Sequence, residues 1–86
     1  MNLQYNFSGG PGALPLPVLM QAQQAILEVP EVGLSVLGIS HRSDWFREVM
    51  DEAEANIRHL LKVPQNYHVL FLQGGSTLQF AMLAMN

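Results

Sequence analysis

Gly74-Gly75-Ser76-Thr77 ends one apolar stretch and opens onto another, Leu78-Gln79-Phe80-Ala81-Met82. An apolar segment that ends in glycines and turns into a helix is a recurrent anion-binding arrangement. Glycine lets the backbone come close to a ligand, and the first N–H groups of a helix have no partner within it. Ser76 and Thr77 add two hydroxyls. The same letters also spell a capping box, Ser76-x-x-Gln79, whose side chains satisfy those N–H groups themselves. No lysine follows the glycines at P-loop spacing. Taken alone, the motif leaves an anion cradle and a capped corner both open.

Ser40-His41-Arg42 is the second place where residue types suggest chemistry. An arginine binds carboxylate or phosphate through two parallel hydrogen bonds, and His41 beside it can donate another. The alternative is an ordinary surface ion-pair residue next to a helix cap. Lys62, the only lysine, precedes Val63-Pro64 and reads as a complement to the negative end of a helix. His41, His59 and His68 lack metal-ligand spacing, and the absence of cysteine removes disulfides and thiolate metal sites.

Three helices and one strand are expected to position these groups. FSGGPGALP, residues 7–15, is a Gly/Pro loop. Residues 15–29 carry Leu16, Leu19, Ala22, Ile26 and Val29 at helical spacing, with Pro15 and Pro17 in the first turn and Pro30 as the stop. Residues 32–42 read as an extended stretch or loop. The sequence SDWFREVMDEAEANIRHLLKV places Phe46, Val49, Met50, Ala53, Ile57, Leu60 and Leu61 at steps of three and four. Ser43 or Ser40 can cap this long helix, Asp44 suits its positive end, and Pro64 closes it. YHVLFL, residues 67–72, is short, aromatic and β-branched, and predicts a strand covered on both faces. The last stretch is apolar on nearly every side and predicts a deeply buried helix.

Composition narrows the classes of function. The chain has 86 residues and a net charge of −3, so it lacks the basic patch of a nucleic-acid binder. The first residues carry no secretory pattern, and no apolar run reaches the ~20 residues of a membrane helix. A soluble, cytoplasmic setting is the expectation. Apolar residues make up 49% and charged residues 13%, against about 25% charged in an average domain. So small a chain should carry more charge if it stood alone, so much of its surface is expected to be covered by further sequence or a second subunit.

In their order and spacing, FSGGPGALP (7–15), ISHRS (39–43), DEAEANIRHLL (51–61) and NYHVLFLQGGSTLQFAM (66–82) resemble the N-terminal portion of the phosphoserine aminotransferases. The resemblance runs over essentially the whole chain. It implies an α/β fold of the aspartate-aminotransferase type, fold type I, with three helices and a short buried strand leading into the Gly-Gly-Ser-Thr turn. Residues 1–42 would belong to the substrate loop and small-domain part, and residues 43–86 would open the large cofactor domain. It implies pyridoxal 5′-phosphate as cofactor, glutamate and 3-phosphohydroxypyruvate as substrates in serine biosynthesis, a related role in vitamin B6 synthesis, and a homodimer.

By the same resemblance Gly75, Ser76 and Thr77 lie where the family holds the cofactor phosphate. Arg42, with His41 beside it, falls where the family binds the substrate's anionic group, and Gly9 lies near the amino-acid substrate. Some members carry a more basic residue where this chain has Thr77, which would redistribute contacts to the substrate phosphate. The family's Schiff-base lysine and acidic partner come from later sequence, so this chain is expected to be an inactive N-terminal fragment of an active enzyme. Two rival readings are a stand-alone phosphate-ligand module and a non-catalytic helical interaction domain.

Overall fold

The computed structural model describes residues 5–86, which fall into two units divided between Glu48 and Val49. The elements in order are α1 (Leu16–Leu27), a 3₁₀ turn (Val36–Gly38), α2 (Asp44–Leu61) and α3 (Gly75–Met85).

In the first unit, Pro15 caps α1 and Pro17 sits in its first turn, where a missing N–H costs nothing. The Pro15 carbonyl accepts from the N–H groups of Val18 and Leu19 at 3.0 and 3.1 Å. The helix stops at Leu27, short of the expected Val29, with Glu28 already in extended backbone two residues before Pro30. Val29 instead forms an isolated antiparallel bridge with Leu34, its N–H donating to the Leu34 carbonyl at 2.7 Å. Gly33, at φ 77°, turns the chain between them. Val29 is the one buried hydrophobic side chain among the described residues. Ser35 Oγ accepts from Leu37 N and starts the 3₁₀ turn, which packs on α1.

The long helix forms as its periodicity requires. Phe46, Met50, Ala53 and Ile57 share one face and are half-buried, whereas Val49, Leu60 and Leu61 stay exposed. Lys62 ends α2 with φ 53°, a left-handed residue. Its N–H reaches the His59 carbonyl at 3.4 Å, and Val63 N–H reaches the Arg58 carbonyl at 2.9 Å. This pair of bonds is the Schellman closure, which satisfies carbonyls the helix leaves free. A tight turn follows, with Tyr67 N–H donating to the Pro64 carbonyl at 3.1 Å.

Two expectations are corrected here. The 67–72 segment is not a strand: among the described residues no strand forms, and Leu70, Phe71 and Leu72 are exposed. A strand exists only when a neighbour takes up its N–H and C=O groups, and none of the described segments does so. α3 is helical but not buried, with Phe80, Leu83 and Met85 at least 71% exposed. Within the second unit α2 and α3 do not pack on each other.

Candidate functional site

The first turn of α3 gathers Gly75, Ser76 and Thr77. Gly74 precedes it at φ 101°, and Gly75 itself has φ 60°. Both values lie in the left-handed region, which glycine enters without the steric cost a side chain brings, so the chain swings into the helix here at little strain. Gly74 serves packing as well, because a Cβ built there would overlap the Leu78 side chain. Gly75 has open space where a Cβ would be.

The capping box does not form. Ser76 lies inside the helix, the capping position is a glycine, and no side chain bonds to the free N–H groups. Gln79 does not reach back; its Nε2 contacts Met82 Sδ at 3.7 Å. The first N–H bonded inside the helix is that of Leu78, to the Gly74 carbonyl at 3.3 Å. The amides of Gly75, Ser76 and Thr77 and the two exposed hydroxyls therefore face outward, with no acidic side chain in the first turn to offset the positive helix end. By contrast, α2 starts behind a serine cap and an aspartate. Beside the α3 corner runs an open groove of about 350 Å³, lined by Leu72, Gly75, Ser76, Gln79, Phe80 and Leu83.

His41 and Arg42 occupy the tip of a four-residue turn. Ser43 N–H donates to the Ser40 carbonyl at 3.1 Å, closing the turn around them. Ser40 Oγ accepts from Arg42 N–H at 3.1 Å. Ser43 Oγ–H donates to the Ser40 carbonyl at 2.7 Å and accepts from Phe46 N–H at 3.2 Å, so Ser43 is the cap of α2. Ser40 shapes the turn and does not cap the helix. His41 and Arg42 are exposed. Trp45, just beyond, donates from Nε1 to Glu31 Oε2 at 3.2 Å. Gly9 is exposed in the loop that precedes the cis Gly10–Pro11 bond, with nothing within 4 Å of a Cβ built on it.

The structure thus groups Gly75, Ser76 and Thr77 on one turn of one unit, and His41 with Arg42 on one turn of the other. Sequence reasoning left the paired roles of Ser40 and Ser43 unresolved. The Ser-x-x-Ser spacing was the available signal, since each hydroxyl reaches backbone two or three residues away. Gly74's contact with Leu78 left a fainter sign, a glycine four residues before a leucine.

An Aminotransferase class-V family profile matches residues 4–86. The chain belongs to the class-V aminotransferase family. Among curated relatives, the phosphoserine aminotransferase of Syntrophobacter fumaroxidans is 54% identical over 82 residues, which cover 95% of this chain and 23% of that protein. That of Lactococcus lactis subsp. cremoris (strain SK11) is 52% identical over 82 residues, 95% of this chain and 22% of the relative. That of Listeria monocytogenes serotype 4b (strain F2365) is 51% identical over 86 residues, all of this chain and 24% of the relative. This class-V aminotransferase chain therefore spans about a quarter of the length of the relatives it matches. Among the described residues no cluster of His, Asp or Glu could hold a metal ion, and no helix is long and apolar enough to cross a membrane.

Proposed function

We propose that this chain supplies the cofactor-phosphate cradle, and one substrate-anion arginine, of a pyridoxal-phosphate-dependent phosphoserine aminotransferase. The observation that carries the proposal is the open first turn of α3 in a chain whose whole length resembles that family. Three amides and two hydroxyls point outward at a positive helix end with no side-chain cap and no acid. That donor set suits a doubly charged phosphate ester, which needs several N–H and O–H donors around its oxygens. The residues therefore fit the group.

The cofactor, when bound, supplies the electron sink for amino-group transfer between glutamate and 3-phosphohydroxypyruvate. The work of this segment is binding and orientation. The amides of Gly75, Ser76 and Thr77 hold the phosphate, and the Ser76 and Thr77 hydroxyls add directed bonds. Arg42, fixed by the Ser40–Ser43 turn, meets the substrate's anionic group, with His41 donating beside it. Gly9 leaves backbone room near the amino-acid substrate. Within the complete fold-type-I domain, residues 67–72 would take a place in a sheet and α3 would be covered. A cytoplasmic homodimer, and a second role in vitamin B6 synthesis, belong to the same reading.

The test is ligand binding in a complete aminotransferase carrying this segment. Pyridoxal 5′-phosphate and unphosphorylated pyridoxal are titrated against the parent and Thr77→Asp. A carboxylate placed against the phosphate should weaken the phosphorylated ligand by about tenfold or more, since charge-assisted bonds are lost and like charges meet. Pyridoxal should bind as before. Equal affinity for the phosphorylated ligand in both proteins rejects the cradle. Phosphate-dependent stabilisation without any transamination would instead favour a non-catalytic phosphate-binding module.

A further inference from the structure

Arg58 makes the one salt bridge among the described residues, donating from Nε to Glu54 Oε2 at 2.9 Å. The rest of its guanidinium is turned to the backbone beyond the helix. Nη2 donates to the Tyr67 carbonyl at 2.9 Å, and Nη1 to the Pro64 carbonyl at a longer 3.4 Å. Its side chain is 22% exposed, and its own carbonyl accepts the Schellman bond from Val63 N–H. Arg58 thus grips the exit from α2 with both its main chain and its side chain. Only a planar fork can serve a carboxylate and two carbonyls at once.

What it grips is the start of the segment that delivers the anion site. From Tyr67 the chain runs to Gly74 without helix or strand, then turns into α3. Where a chain is extended, a slip of one residue moves the groups that follow by about 3.3 Å. Charge-assisted hydrogen bonds keep their strength only over a few tenths of an ångström. A one-residue slip at Tyr67 therefore takes the Gly75–Thr77 amides away from any fixed phosphate.

We propose that Arg58 is a positioning residue for the α3 anion site: by holding the Pro64 and Tyr67 carbonyls it sets the register in which the phosphate-binding amides arrive. This rests on the reading of α3 as a phosphate cradle.

The test uses a complete aminotransferase carrying the segment, with Arg58→Lys, Arg58→Ala and the double variant Ser76→Ala/Thr77→Ala. Arg58→Lys keeps the charge beside Glu54 but cannot bridge two carbonyls. Affinity for pyridoxal 5′-phosphate and for unphosphorylated pyridoxal is measured in each. A register role lowers affinity for the phosphorylated ligand by about tenfold or more in Arg58→Lys, and by as much or more in Arg58→Ala, leaving pyridoxal within about twofold. A role in stability alone weakens both ligands together, and that result overturns the proposal. So does unchanged affinity for the phosphorylated ligand, or failure of both Arg58 variants to fold. If the double variant and Thr77→Asp both keep the full preference for the phosphorylated ligand, the cradle reading itself falls and takes this inference with it.

Discussion

At the scale of single residues, the proposed site holds two kinds of residue, donors for a ligand and residues that shape backbone. Arg42 is the clearest donor, exposed at the tip of a turn that two serines fix. In the complete enzyme Arg42→Ala should raise the KM for the anionic substrate by about tenfold to a hundredfold, the cost of one or two charged hydrogen bonds. Cofactor retention should stay unchanged. Loss confined to cofactor retention would remove Arg42 from the substrate's side of the reaction. Gly74 is the clearest shaping residue. Its φ of 101° and its closeness to Leu78 leave no room for a side chain. Gly74→Ala should cost about 1–3 kcal/mol in thermal unfolding of the complete enzyme, the usual cost of strained backbone. An unshifted Tm would mean that the corner relaxes freely.

At the scale of elements, the end of α2 offers a sharper test than its interior. Lys62 sits where helices usually place glycine, in left-handed backbone. If backbone conformation is what matters there, Lys62→Gly should change stability by no more than about 1 kcal/mol, while Lys62→Val should lose about 1–2 kcal/mol, since β-branched residues resist positive φ. Equal losses in both variants would instead point to the ammonium charge. The helices were legible in the sequence because they depend on local signals. Pro15, Pro17 and Pro30 bracket α1, and Ser43, the 3.6-residue stripe and Pro64 bracket α2. The 67–72 segment was not, because a strand depends on a partner that local pattern does not specify. The α3 corner was half legible. Gly-Gly signalled the turn, but Ser76-x-x-Gln79 matches a capping box in letters only, and the two positive-φ glycines start the helix two residues too early for it. The fork of Arg58 was not read from the sequence; its pairing with Glu54 and its reach to Pro64 and Tyr67 came from the fold.

At the scale of the whole molecule, the 49% apolar content finds little interior among the described residues. Val29 is the only buried hydrophobic side chain among the described residues, and Phe71, Phe80, Leu83 and Met85 lie open. So many exposed large apolar side chains fit a surface that further sequence or a partner covers. The 86-residue chain by itself should show helical circular dichroism, bind a hydrophobic dye and melt without a sharp transition. A sharp, two-state melt with no dye binding would contradict this. The central claim, that the first turn of α3 receives a phosphate, is tested most directly by the crystal structure of a complete, cofactor-loaded aminotransferase carrying this segment. Phosphate oxygens should lie at about 2.7–3.0 Å from the Ser76 and Thr77 amides and at least one of their hydroxyls. A phosphate bound elsewhere, with those amides closed off by packed side chains, would contradict it.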